Sequence, residues 1–519
     1  MKTFIKILLK SVGFAARNWP WLGRKINKLA INISVNVCRH RPHPWSTVHD
    51  YVSWTSLTDQ VWSARHLPAK DLAPPKIDNV EEFFRRKTQR LSPKSTCLFP
   101  AFAQYLTDGF IRTRMPGEGE PDDPFRKQTT SNHQIDQSPL YGRTSEQTTA
   151  LRLLSEKSSE KGRLKSQDID GEEYAQFLYN GHEIRPEFKI LDRPLMPKAF
   201  ENRPEILSSL FAVGGDRVNA SPQVAMMNTL FLREHNRLAS TIESVNPQWD
   251  DERVFQTARN ISIVLFIKIV VEEYINHISP VAPSIKFVVD PSVAWNAPWN
   301  KPNWMTTEFS LLYRWHSLIP DKMEWGDKEY AVGETIMNNN PLLEGGLERA
   351  FVDMSAQRTG EIGAFNTADS LLDFEKRAIG QGRLCQLASY SDYREYVSLP
   401  RPKRFSDVSA NAKVVAFLEN AYESVDDIEF YVGLFAEDID NNSPLPSLLG
   451  KMVAVDAFSQ ALTNPLLSEH VWKEETFTKA GWKVINETKS LRDILHRNVK
   501  GGLSSDVFIG MTQPGWKLS

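Results

Sequence analysis

The sequence predicts a mainly α-helical fold. Apolar residues recur at helical spacing over long stretches, strand-type alternation is sparse, and the intervening segments are irregular and rich in Pro, Gly and charge. At 519 residues, 41% of them hydrophobic and 24% charged, the chain can enclose one large core. The clearest helix is expected over about residues 223–245. A second, over about 251–277, opens on Asp250, Asp251 and Glu252, which suit the positive end of the helix dipole. Its middle, from Ile261 to Val271, is apolar nearly all round, which suits a helix at the centre of the core. A third helix is expected over about 306–317. Residues 116–124 (PGEGEPDDP), 155–167 and the proline-rich 279–303 read as connections within one domain.

Charge is distributed unevenly. The formal net charge is only −2, yet residues 1–49 hold nine of the 62 Lys and Arg and none of the 64 Asp and Glu. Within that stretch Lys2, Lys6 and Lys10 recur every four residues among Phe4, Ile5, Ile7, Leu8, Leu9, Val12 and Phe14, with Trp19 and Trp21 following. This pattern suits an anionic membrane surface, and it sets residues 1–44 apart as a membrane-associating segment from a catalytic domain over 45–519. A simple docking helix is the plainer alternative. A secretory signal fits less well, because the lysines interrupt the apolar run it would need. Only Cys38, Cys97 and Cys385 are present, which suggests neither a disulfide framework nor a cysteine metal site and suits a reducing, cytoplasmic setting with peripheral membrane contact. No basic stripe with interleaved aromatics points to nucleic acid. The acidic run from Glu437 to Asp440 lacks the ligand alternation and central glycine of a calcium loop, so no second metal is expected.

Tyr313 and His316, three apart, should share one face of the third helix. Alone, such a pair is more often core than chemistry. Several motifs accompany it, however. Residues 231–238 (FLREHNRL) and 313–320 (YRWHSLIP) resemble segments of cyclooxygenase and the animal haem peroxidases. So do residues 49–54 (HDYVSW), 255–259 (FQTAR), 267–274 (IKIVVEEY), 390–394 (YSDYR) and 498–501 (NVKG), together with Ile135-Asp136 and Leu140 to Gly142, all in the same order.

That resemblance implies a cyclooxygenase-like fold with a haem between central helices, His316 as axial iron ligand, Tyr313 as the residue that becomes a radical and Tyr274 as its hydrogen-bonding neighbour. It implies a fatty-acid dioxygenase, in which the radical takes hydrogen from a fatty acid and O2 adds to give a hydroperoxide. Without the growth-factor-like module and secretory signal of the animal enzymes, a bacterial member is the expectation. Alternatives are a haem peroxidase of small donors and a haem-binding protein without catalysis.

The chain also departs from the pattern. Gln104 matches the distal glutamine and Arg217 the distal arginine of animal haem peroxidases, but Asp108 stands where the family has its distal histidine. It is either a proton shuttle or an exposed helix end. Thr107, Ala220 and Ser221 occupy the positions that form covalent haem links in myeloperoxidase-like enzymes, so a non-covalent haem b is implied. The substrate-carboxylate clamp of cyclooxygenase falls at Ser34 or Val35 and at Val281, so that clamp is absent; Arg39 or Arg41 is either a substitute cation or part of the solvated basic face. Ser459 resembles the channel serine, or is a helix serine bonding backbone.

Overall fold

The computed structural model of the protein describes residues 12–14, 16–35, 61–116, 119–196, 200–201, 203–281, 284–439 and 443–516. The principal helices are α1 (Pro20–Ser34), α2 (Leu98–Asp108), α3 (Pro222–Val245), α4 (Asp251–Ile269), α5 (Thr307–Leu312), α6 (Asn340–Ala356), α7 (Leu372–Leu384), α8 (Phe430–Ala436), α9 (Ser447–Leu462), α10 (Glu474–Glu487) and α11 (Leu491–Asn498). Among the described residues the strands form only two-stranded antiparallel ribbons. The mainly helical expectation therefore holds.

Helix α3 is the axis of the core, packed against α2, α4, α6, α10 and α11. It starts at Pro222, whose missing N–H costs nothing at a helix N-terminus. Burial then continues without a break to Asn236, so its polar residues must find partners inside the protein. Glu234 receives Arg237, Arg497 and Asn498; His235 pairs with the Tyr141 hydroxyl and the Gly162 carbonyl; Asn236 bonds the backbone of Leu164. Burial opposes charge on Glu234, but the guanidiniums of Arg237 and Arg497 hold its carboxyl below the usual range. The 231–238 and 498–501 motifs thus meet at one buried carboxylate and serve the scaffold.

Helix α4 is capped by Asp250, which accepts the Arg253 N–H, as its acidic opening predicts. Beyond Ile269 it widens into a π-helical turn over Val270–Ile275, which carries Tyr274, before the helical turn Asn276–Ile278. Asp251–Ile278 is long enough to cross a membrane and contains an apolar stretch of 18 residues, but 78% of that stretch is buried in the protein and it serves as core. A second group, α5, α7, α8 and α9, packs together, with α5 touching the other three; the π turn contacts both α2 and α9.

Helix α1 docks on α9 by an inner face that buries Asn27 and Ile31 and continues to Val35. Its outer face presents apolar side chains to solvent: Trp21 is 55%, Leu29 61% and Ile33 67% exposed. The lysine-rich start of the basic segment, the HDYVSW motif, Arg39, Arg41, Cys38 and the 44/45 boundary lie outside the described residues.

Candidate active site

Helix α5 is fixed at its start. The Thr306 hydroxyl accepts the Phe309 N–H, and the fully buried Glu308 carboxylate receives the Tyr393 hydroxyl and the His66 N–H. The helix then stops at Leu312, earlier than the expected 317. Tyr313 is its C-cap, Trp315 takes a bent conformation (φ −96°, ψ 51°), and His316 opens a separate 3-10 turn, His316–Leu318. The shared helical face proposed for Tyr313 and His316 is therefore incorrect: the two side chains leave an irregular turn in different directions.

Tertiary contacts impose that ending. The Arg314 carbonyl, free of the helix ladder, accepts the Tyr431 hydroxyl at 3.0 Å. Thr359 donates to the Leu318 carbonyl and Asn366 to that of Ser317. Gly360 permits the approach of this strand, because a Cβ there would sit 2.1 Å from the Ser317 carbonyl oxygen. The loop carbonyls that a helix would have satisfied internally are thus satisfied by Tyr431 of α8, Thr359 of the Arg358–Gly360 strand and Asn366.

Tyr313 points toward α9 and the π turn. Its ring lies between Phe309 at 4.8 Å and Trp315 at 4.9 Å between centroids. The fully buried Tyr274 phenol is its polar neighbour, although neither hydroxyl makes a hydrogen bond of good geometry. Burial pushes the Tyr313 phenol above its usual range, with the Tyr274 hydrogen-bonding influence opposing and the Asp456 carboxylate adding to the rise. Asp456 is itself buried on α9 against His66 Nε2 at 2.9 Å.

His316 points toward α7. Its Nδ1 lies 3.2 Å from Oε1 of the buried Glu375, a close contact without the alignment of a hydrogen bond. The ring stacks on Phe374 at 5.6 Å and remains 19% exposed, so Nε2 faces no packed protein partner. Glu375 also receives the hydroxyls of Thr367 (2.7 Å) and Tyr431.

The residues expected opposite His316 are gathered as well. Asp108 ends α2, but it is 4% exposed, which removes the exposed-helix-end reading. Gln104 lies one turn earlier on the same face. Burial raises the Asp108 carboxyl to about 7, with Arg217, Arg112 and Arg314 pulling it down and Asp216 pushing it up. Arg217 is 3.8 Å from Asp216, which in turn pairs with Arg112 at 3.0 Å. Arg314 joins this cluster to the histidine side: it feels Asp108 and Arg217 on one hand and Tyr431, which bonds Glu375 behind His316, on the other.

This arrangement fits a haem. An imidazole presents Nε2 while a carboxylate faces Nδ1, the pattern of a ligating histidine with an outer-shell acceptor. Around it, Asp108 Oδ2, Arg217 Nη1, Trp315 Nε1 and both phenol oxygens are buried without hydrogen-bond partners, and buried polar atoms are rarely left so. Thr107 donates its hydroxyl to the Ala103 carbonyl, Ser221 stands at the N-terminal boundary of α3 with only a hydroxyl, and Ala220 has only a methyl. These positions suit a non-covalently held group.

The channel candidates are less convergent. Ser459 is fully buried and turns its hydroxyl onto the Asp456 carbonyl of its own helix at 3.0 Å. Val281 is half-buried at a turn beside the undescribed residues 282–283. Ser34 and Val35 end α1, with Val35 buried. Glu375 and Tyr431 were not anticipated. The signal for Glu375 was present, since it lies among Leu372, Ala378 and Ile379 on the apolar face of α7, where a charge needs a reason.

Comparison with known proteins agrees with this geometry. Prostaglandin G/H synthase 2 of Equus caballus is 29% identical over 96% of this chain and 80% of its own length. Prostaglandin G/H synthase 1 of Rattus norvegicus is 30% identical over 93% of this chain and 78% of its own. The solved structure of fatty acid alpha-dioxygenase from Arabidopsis thaliana superposes with a TM-score of 0.69 at 16% identity, covering 100% of this chain and 95% of that one. The animal haem peroxidase family model matches residues 93–508, a span that includes Gln104, Asp108, Arg217, Tyr274, Val281, Tyr313, His316 and Ser459. The chain belongs to the animal haem peroxidase family and is a haem-binding oxidoreductase.

Proposed function

We propose that this protein is a haem-dependent fatty-acid dioxygenase. The observation that carries the reading is the buried phenol pair of Tyr313 and Tyr274, with Tyr313 on the same turn as His316 and walled by Phe309 and Trp315. A peroxidase acting on small donors has no need of a second phenol held out of water next to the first. The names of the relatives, prostaglandin G/H synthases and a fatty acid alpha-dioxygenase, support the same class of substrate.

His316 Nε2 would hold the iron, and Glu375 would orient the ring. When bound, the haem supplies the one-electron oxidation of Tyr313, drawn from peroxide. The Tyr313 oxygen radical takes a hydrogen atom from a fatty-acid carbon and becomes a phenol. O2 adds to the carbon radical, and the peroxyl product recovers the hydrogen atom from Tyr313, leaving a hydroperoxide and the radical restored. Tyr274 steadies the phenol, and its aromatic surroundings exclude water that would quench the radical. Val281 and Ser459 would line the approach. Oxygen uptake with linoleate tests the reading, since the native protein should consume oxygen and form a hydroperoxide. Peroxide-driven oxidation of small donors without any uptake would reject it.

In this scheme Asp108, aided by Gln104 and Arg217, accepts the peroxide proton. Its raised value means that the carboxyl holds its proton below about pH 7 and is the charged base above it. Peroxide consumption by the haem-loaded protein should therefore rise with pH through that region, and Asp108→Asn should flatten the profile and lower the rate by roughly 10²-fold. A native profile flat from pH 5 to 9 would exclude this role. The linkage has a sign too: the folded chain holds this proton more tightly than the unfolded chain, so Asp108 reduces stability as pH rises from about 4 to about 7.

We also propose that residues 1–44 rest on a membrane while residues 45–519 form the catalytic domain. The support is the outer face of α1, where Trp21, Leu29 and Ile33 are exposed beside Arg24, Lys25 and Lys28. Co-sedimentation with anionic phospholipid vesicles should be strong for the native chain and weak for a Trp21→Ser, Leu29→Ser, Ile33→Ser variant. Equal sedimentation of the two would defeat the assignment.

A further inference from the structure

We infer that Glu375 is the positioning residue for the axial imidazole: held by Thr367 and Tyr431, it fixes the proton of His316 on Nδ1 and strengthens Nε2 as an electron donor. The inference rests on the reading of His316 as the iron ligand.

Glu375 is 1% exposed, no Lys or Arg pairs with it among the described residues, and the His316 imidazole is its basic neighbour. A buried carboxylate without Lys or Arg is expensive and persists only where donors are supplied. Here they are the Thr367 hydroxyl at 2.7 Å on Oε1, the Tyr431 hydroxyl on Oε2 and the imidazole edge, 3.2 Å from Oε1. The last is a contact at hydrogen-bond distance without hydrogen-bond alignment. A carboxylate polarises an imidazole N–H more strongly than a backbone carbonyl does, which moves electron density to Nε2 and favours the higher oxidation state of a bound iron. Tyr431 tempers the effect. Its single proton is shared between Glu375 and the Arg314 carbonyl, which ties the carboxylate to the same turn that carries His316.

The two residues should therefore act with opposite signs. In haem-loaded protein poised at a fixed ambient potential, Glu375→Gln keeps an acceptor of similar shape but removes the charge. The ferric-to-ferrous ratio should fall at least about tenfold, equivalent to roughly 59 mV for one electron, and the iron–histidine stretch of the ferrous form should drop. Tyr431→Phe removes a donor from the carboxylate and leaves it the stronger acceptor, so the ratio and the stretch should both rise. A ratio and stretch unchanged in Glu375→Gln, or moved in the same direction by both substitutions, overturns the proposal. Should Glu375→Gln fail to fold, the sign in Tyr431→Phe decides alone: a rise supports the proposal, and a fall or no change overturns it. An iron–histidine stretch that is present but unmoved rejects only the role of Glu375, whereas a native protein without such a stretch rejects the ligand assignment and this proposal with it.

Discussion

Tyr313→Phe should abolish oxygen uptake with linoleate while leaving the haem absorption of the loaded protein in place. The substitution deletes one oxygen atom. That oxygen makes no hydrogen bond of good geometry, and the ring it leaves behind still packs between Phe309 and Trp315. The expected cost in stability is therefore only about 1 kcal/mol, the scale of a single hydroxyl's net contribution. The effect on oxygenation is of another order, because phenylalanine has no O–H whose hydrogen atom can be removed and returned. Uptake should fall by about three orders of magnitude or more, which corresponds to roughly 4 kcal/mol of barrier. Peroxide-driven oxidation of a small donor, which needs no tyrosyl radical, should change little. This split identifies the chemistry: uptake that survives the substitution places hydrogen abstraction elsewhere, and parallel loss of both activities indicates damage to the haem site. Tyr274→Phe is the informative companion. Tyr274 is the polar neighbour of Tyr313 and is not itself the abstracting atom, so its loss should slow uptake without ending it.

Local signals in the sequence sufficed for the long helices, because α3 and α4 carry both the periodicity and the end signals: Pro222 at one start, Asp250 as the cap of the other. The same reasoning failed at α5. Residues 313–317 contain no helix breaker, and what stops the helix is a partner far away in sequence, namely the Tyr431 hydroxyl on the Arg314 carbonyl and the Gly360 strand against Ser317. The widening of α4 into a π turn at Tyr274 was equally hidden, since it changes the hydrogen-bond step without changing the apolar pattern. Site residues divide along the same line. Those that sit in motifs, His316, Tyr313, Tyr274, Arg217 and Gln104, could be found by resemblance. Glu375 and Asp456 could have been flagged only as charges in otherwise apolar helix faces, and their partners His316 and His66 come from distant segments. Asp108 shows why the fold was needed: its sequence context, before Gly109 at a helix end, allows an exposed residue as readily as a buried one, and burial against Arg217 and Arg314 decides between them.

His316→Ala should strip or loosen the haem, with affinity reduced by more than about 10²-fold, since even residues that merely orient a metal ligand contribute 10 to 100-fold. The physical reason lies in what remains. The buried histidines among the described residues are engaged: His235 by Tyr141 and Gly162, His66 by Asp456, His133 by the Met305 N–H, His277 by Ser95 and Thr512. The fold itself should survive. His316 is partly exposed and the cavity its loss creates opens toward solvent, while Glu375 keeps the Thr367 and Tyr431 donors, so what is given up is the stacking on the exposed Phe374 and the contact with one carboxylate oxygen. Soret absorbance after gel filtration of the haem-supplemented variant measures the effect, and circular dichroism of the same sample checks that the helices are intact. Added imidazole should restore part of the absorbance by entering the space the side chain vacated and reaching the same carboxylate. A folded Ala variant that retains a native Soret band at native stoichiometry would mean that the iron is held from another position, and the chemistry assigned to Tyr313 would have to be sought around that residue instead.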